Sequence, residues 1–174
     1  VTGAGGSIGS ELSRMLARCG PSELVLIDLS ENALFEIDRQ IAQLAPNLTR
    51  HALLHDVVDA VGTQDYFRQF EPQIIFHAAA HKHVPMMEDH PEAAIDNNLF
   101  GTKSVADASA AVGADRFVLI SSDKAVNPSS MMGATKRLAE LYVQWLGGLS
   151  TTKFSMVRFG NVLASAGSVL NIWS

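Results

Sequence analysis

Thr2-Gly3-Ala4-Gly5-Gly6-Ser7-Ile8-Gly9 is the stretch whose reading decides the fold. Gly3, Gly6 and Gly9 recur every third residue, and a segment of helical period follows at once, so the turn opens a helix. Glycine permits a tight turn there and lets backbone amides approach a pyrophosphate at the positive end of the helix. Gly3, Gly6, Ser7, Ile8 and Gly9 are the first candidate dinucleotide contacts on that ground. Asp28 ends the next apolar run, 19 residues after Gly9. A carboxylate at that place hydrogen-bonds the adenosine ribose and repels a 2′-phosphate, which favours NAD over NADP. Its competing role is a helix N-cap. Asp56, after a later apolar run, is a candidate for the adenine end or a plain turn aspartate.

Outward from the turn, runs rich in Val, Ile, Leu and Phe alternate with segments of helical period. That alternation predicts an α/β fold with a parallel sheet covered by helices. Strands are expected over 23–28, 51–55, 73–78, 115–121 and 153–159. Between them, four apolar stripes predict helices: Ile8, Leu12, Met15, Leu16 and Cys19; Leu34, Ile37, Ile41 and Leu44; Ile95, Leu99, Thr102 and Ala106; and Leu138, Leu141, Tyr142 and Trp145. Right-handed crossovers make this a doubly wound Rossmann sheet with its ligand crevice at the carboxyl ends of the strands.

At 174 residues and 47% hydrophobic composition, the chain is long enough for one domain with a core, and 1–174 is read as a single NAD-binding domain. Val1-Thr2 leaves no room for the strand that must precede the glycine turn. A fragment truncated at the first strand is therefore expected, marginal in stability because the inner edges of two neighbouring strands would be bared. A net charge of −5 offers no basic surface for nucleic acid. The single cysteine, Cys19, allows no intrachain disulfide and suits a reducing cytoplasm. No apolar run reaches the roughly 20 residues that cross a bilayer.

Two further stretches carry chemistry. In Phe76-His77-Ala78-Ala79-Ala80 the small Ala78, Ala79 and Ala80 let a cofactor pass close to the backbone, or let a helix pack tightly. His77, His81 and His83 suggest zinc, but nothing in the pattern converges a third ligand, and no metal is expected. The polar stretch Ser121 to Arg137 directly follows the apolar Phe117-Val118-Leu119-Ile120, which places it at the carboxyl end of a buried strand. Met132 and Lys136 then share a helix face at spacing i, i+4.

Taken together, the glycine turn, Ala78-Ala79-Ala80-His81-Lys82-His83-Val84-Pro85, Ser121-Ser122-Asp123-Lys124-Ala125-Val126-Asn127-Pro128, Met132-Gly133-Ala134-Thr135-Lys136-Arg137 and Arg158-Phe159-Gly160-Asn161-Val162 resemble the nucleotide-sugar 4,6-dehydratases. These form the polysaccharide-biosynthesis branch of the extended short-chain dehydrogenase/reductase superfamily. The likeness runs from Val1 to about Gly167. It implies NAD as cofactor and a UDP-sugar, UDP-N-acetylglucosamine, as substrate. Hydride leaves sugar carbon 4 for NAD, water is eliminated across carbons 5 and 6, and the hydride returns to carbon 6. The resemblance gives Asp123 the role of acid to the carbon 6 hydroxyl and Lys124 that of base at carbon 5. It puts Lys136 at the nicotinamide ribose and Ser122 near the carbon 4 oxygen. Lys82, Arg158 and Asn161 become substrate-side candidates. Such a pair needs pKa values moved in opposite senses, and a cationic neighbourhood would favour neutral Lys124.

The chain departs from the superfamily pattern at Met132, which stands where most members have the tyrosine base and can neither give nor take a proton. One branch of the dehydratases shares this methionine; core packing is its other reading. Ala164 replaces a usual glycine, and the chain stops before the substrate-capping domain, so no turnover is expected of 1–174 alone. The resemblance further implies a homo-oligomer and a parent protein carrying a membrane region outside this chain, at the cytoplasmic face. Another UDP-sugar epimerase or dehydratase, and a catalytically silent dinucleotide-binding module, remain the alternatives.

Overall fold

The computed structural model describes residues 1–160 and 162. In chain order it runs α1 (Ser7–Arg18), β1 (Glu23–Asp28), α2 (Glu31–Leu44), β2 (Thr49–Leu54), α3 (Ala60–Phe70), β3 (Ile74–His77), α4 (Val84–Asp89) and α5 (Pro91–Ala94). A π-helical turn (Ile95–Phe100) leads into α6 (Gly101–Ala111). Then come β4 (Arg116–Ser122), a 3₁₀ turn (Asp123–Ala125), α7 (Met131–Gly147) and β5 (Lys153–Phe159).

All strand pairs are parallel: β1 with β2, and β3 with β4 and β4 with β5. Val1 and Thr2 join the two groups. Thr2 bridges both Ile27 and His77, its N–H donating to Phe76 O and its carbonyl accepting from Ala78 N–H. On the other side Ile27 N–H donates to Val1 O and Ala4 N–H to Ile27 O. The lateral order is thus β2, β1, Val1–Thr2, β3, β4, β5, the doubly wound arrangement expected. The order in which successive strands are laid down reverses across Thr2, and in such sheets the ligand crevice opens at that switch point.

β1 shows why the sheet is covered on both sides. Leu24 and Leu26 pack with Ala17, Leu34, Ile37 and Ile41 of α1 and α2, whereas Val25 and Ile27 pack with Phe67, Ile75, Val105 and Phe117 on the opposite face. Side chains alternate faces along a strand, so an uninterrupted apolar run needs a core on each.

Four expectations require correction. The strands 51–55, 73–78 and 115–121 are shifted to 49–54, 74–77 and 116–122, because register with the neighbours sets their ends: Thr49 pairs with Glu23 and Ser122 with Phe159. The stripe through Ile95, Leu99, Thr102 and Ala106 is not one regular helix but a π turn followed by α6. On α1 the face against the sheet is made of Gly9, Ser13 and Ala17, while Met15 and Cys19 are exposed. On α7 the buried face is Met132, Thr135, Lys136, Ala139, Glu140 and Val143, leaving Leu138, Leu141 and Trp145 exposed. On α1 the buried positions are all small, whereas on α7 they include the charged Lys136 and Glu140, whose burial an apolar stripe does not mark. α3 went unpredicted because only Thr63 and Phe67 of its face are buried. Among the described residues no helix is long and apolar enough to cross a membrane.

Candidate active site

The crevice at the switch point is a cleft of about 360 Å³ between the ends of β1, β2 and β3. Its floor is the glycine turn. Gly3 has φ +64°, and a Cβ there would lie 2.5 Å from Ala79 N, so a side chain is excluded on both counts. A Cβ on Gly9 would sit 1.9 Å from Gly3 O, which is how tightly α1 is drawn onto the turn. The N-cap of α1, Gly6, has no side chain to cap it, whereas Ser30, Asp59 and Ser130 cap α2, α3 and α7. Its positive end is therefore left to face the cleft, a site suited to an anion.

Asp28 stands at the cleft's rim, one oxygen accepting from Gly5 N–H (2.8 Å) and the other from Ser30 N–H (2.8 Å). The N-cap of α2 is Ser30 and not Asp28, which removes the competing reading of that carboxylate. Asp56 accepts from Val58 N–H, an Asx turn, and also lines the cleft. Of the predicted cofactor residues, Gly3, Gly6, Asp28, Asp56, Ala78, Ala79 and Ala80 line it, whereas Ser7, Ile8, Gly9 and Lys136 do not. Ser7, Ile8 and Gly9 form the first turn of α1 behind the floor. The lining also includes His81, considered in the sequence only as a metal ligand, and His55 and Asn97, which sequence reasoning missed because nothing in their local pattern marks them.

Behind the alanines the end of β3 is pinned by a buried polar chain. His77 is fully buried, with Nδ1 hydrogen-bonded to Thr2 Oγ1 (2.6 Å) and Nε2 to Thr102 Oγ1 (3.0 Å). Burial, with the charge of Lys136 nearby, pushes its pKa down to about 3 and keeps the ring neutral. Thr102 donates to Asn98 O, and the Asn98 amide holds the backbone of His81 from both sides: Oδ1 accepts from its N–H and Nδ2 donates to its carbonyl. The π turn that carries Asn98 thereby fixes the loop on which exposed Lys82 and His83 sit.

A second polar ledge lies at the carboxyl end of β4. Ser122 caps the 3₁₀ turn, accepting from Lys124 N–H, and its hydroxyl donates to Asp123 Oδ1 (3.1 Å). Lys124 Nζ pairs with the same oxygen at 3.1 Å. Those two contacts, Lys124 first, hold the Asp123 carboxyl below its usual range. The shift of Asp123 is thus away from the raised value a general acid needs, and its carboxyl is engaged by Lys124 and Ser122. Lys136 is 4% exposed and donates to Ile120 O at 2.8 Å. Burial brings its pKa down to about 8, with Glu140 acting in the opposite sense. Met132, one turn earlier, packs into a small apolar cluster with Met87 and Ala94, the core role allowed for it above. Arg158 is committed: Nε and a terminal nitrogen donate to the two oxygens of buried Glu140 at 2.8 and 2.6 Å. Asn161 and Ala164 lie outside the described residues. The ledge thus brings together Ser122, Asp123, Lys124 and Lys136, while Arg158, itself exposed, is tied to Glu140.

Comparison with known proteins gives these features relatives. The polysaccharide biosynthesis protein family matches residues 1–174. The chain is 49% identical over 174 residues to the probable polysaccharide biosynthesis protein EpsC of Bacillus subtilis, covering 99% of this chain and 29% of that protein. It is 33% identical to a UDP-N-acetylglucosamine 4,6-dehydratase (inverting) of Campylobacter jejuni, covering 98% of this chain and 50% of that one. Among solved structures, Pen from Bacillus thuringiensis superposes with a TM-score of 0.89 at 30% identity, over 99% of this chain and 52% of that one. The chain spans half or less of the length of the curated relatives named here.

Proposed function

The chain belongs to the polysaccharide biosynthesis protein family, and from that premise we propose that it is the NAD-binding part of an enzyme that dehydrates a UDP-N-acetylhexosamine, UDP-N-acetylglucosamine, to the 4-keto-6-deoxy sugar. The observation that carries this reading is the Asp123–Lys124 pair on the β4 ledge, with buried Lys136 beneath it and an apolar Met132 one turn before. An oxidoreductase that only exchanges hydride has no need of an adjacent acid and base. Loss of water from neighbouring carbons needs both.

The cleft fits the cofactor. The uncapped start of α1 and the Gly3 cradle suit a pyrophosphate, Asp28 suits an unphosphorylated ribose, and Ala78 to Ala80 leave the backbone open. NAD, when bound, supplies a reversible hydride acceptor. The chain's own groups do the rest. Ser122 orients the carbon 4 hydroxyl, whose proton passes to a water held by Ser122 or to the Asp123–Lys124 pair as the hydride leaves. Lys124 takes the proton from carbon 5, and Asp123 delivers one to the departing carbon 6 oxygen. Lys136 fixes the ribose on the nicotinamide side. Covering the ledge with a sugar separates Asp123 from water and from Lys124, which raises the carboxyl toward the range an acid needs. Lys82 and Asn161 are assigned to the substrate side. Arg158, whose guanidinium is held by Glu140, is assigned there as well.

Incubating the full-length protein with UDP-N-acetylglucosamine and weighing the product tests this. A product lighter by one water supports the reading. An isomer of unchanged mass would make the enzyme an epimerase, and no product in the presence of NAD would favour a silent dinucleotide-binding module.

A further inference from the structure

Glu140 takes no part in the chemistry above, yet it sits beneath the ledge and is only 1% exposed. Its Oε1 accepts from Ser121 Oγ (2.6 Å) and Arg158 Nε (2.8 Å), and its Oε2 accepts from Arg158 (2.6 Å) and Arg137 (3.1 Å). Burial alone would raise this carboxyl, but Arg158, Ser121 and Arg137 outweigh it and hold it down at about 2. Stability is a weak reason to keep such a group, since a buried ion pair can often be replaced by apolar residues at no loss. What this one does is join three elements. It rises from α7 one turn beyond Lys136, so the two side chains lie on one face. Ser121 and Arg158 are cross-strand partners at the ends of β4 and β5. Ser121 directly precedes Ser122, and its neighbour Ile120 receives the Lys136 ammonium. Two residues beyond Arg158, Gly160 comes so close to Asp123 that a Cβ there would lie 3.3 Å from its Oδ2.

We propose that Glu140 is a positioning residue: by tying Ser121 and Arg158 to α7 it fixes the spacing between Lys136 and the Ser122–Asp123–Lys124 ledge. The inference rests on the dehydratase reading for its catalytic consequence but not for its structural one. Charge-assisted, two-pronged hydrogen bonds define orientation as well as distance, and catalytic groups lose rate steeply when displaced by even an ångström. Glutamine keeps the volume of Glu140 but cannot accept from all these donors.

Two measurements on the full-length protein decide it. In Glu140→Gln, amide hydrogen exchange over residues 120–126 and 157–160 should accelerate about tenfold while α1, β1 and β2 stay unchanged. The rate of water loss should fall at least about tenfold with KM moved by less than about threefold. Ser121→Ala, which removes one bond and keeps both arginine pairs, should give the same pattern at smaller amplitude, and it decides the matter if Glu140→Gln does not fold. Unchanged exchange at these strand ends together with a normal rate would overturn the proposal. A wild-type protein that removes no water would overturn the dehydratase reading instead, and the exchange arm would still judge the positioning.

Discussion

Met132 and Asp123 carry opposite expectations when they are changed. Met132 is buried against Met87 and Ala94, so Met132→Ala should cost about 2–5 kcal/mol of stability, read by urea unfolding. Asp123 is exposed, so Asp123→Asn should leave stability nearly untouched yet slow water loss by about 100- to 10,000-fold, since the amide keeps the shape but cannot deliver a proton. The rate loss in Met132→Ala should be far smaller. A dead Met132→Ala beside a normal Asp123→Asn would move the acid elsewhere. Lys136 supplies a pH signature. Its native pKa of about 8 lies below the ordinary 10.5, so between these values the unfolded chain holds a proton that the native one has released. Stability from this residue is therefore fully present above 10.5 and lost as pH falls through 8, with a slope of at most about 1.4 kcal/mol per pH unit. Urea unfolding of wild type and Lys136→Met from pH 7 to 10 should show that slope in the first and its absence in the second.

At the scale of elements, the glycine turn and the strand that follows were legible because glycine spacing and an apolar run ending in Asp28 have few other uses. The turn should be intolerant. Gly9→Ala places a Cβ 1.9 Å from Gly3 O, and the shift of α1 needed to relieve it should cost about 1–3 kcal/mol and abolish NAD binding by calorimetry. The complete protein should bind NAD at least about tenfold better than NADP, which corresponds to about 1.4 kcal/mol. Asp28→Ala should erode that preference and loosen Gly5 as well, since Asp28 holds its N–H. Equal affinities in the unmutated protein would remove Asp28 from the ribose. What local pattern could not give is equally specific. The π turn is invisible to a 3.6-residue period, and Asn98, which it presents to His81, reads in sequence as an ordinary polar residue. On α7 the apolar stripe pointed to Leu138, Leu141 and Trp145, whereas the packed face carries Lys136 and Glu140. Charged residues are poor markers of burial until their partners are known, and those partners, Ile120 O, Ser121 and Arg158, come from other elements.

For the whole molecule, the strand order brings the two halves of the site together at their carboxyl ends. The cleft between β1 and β3, lined by residues from Gly3 to Asn97, and the ledge on β4 come from different parts of the sequence yet open on the same side of one parallel sheet. Backbone register thus places the cleft and the ledge at one edge of the sheet. On the dehydratase reading these two halves act in one turnover, with the hydrogen taken from carbon 4 returned to carbon 6 as water leaves. The most direct measurement follows UDP-N-acetylglucosamine carrying deuterium at carbon 4 through the full-length protein with catalytic NAD. The expected product lacks one water and carries the deuterium at carbon 6. Deuterium retained at carbon 4 of a product of unchanged mass would contradict that reading.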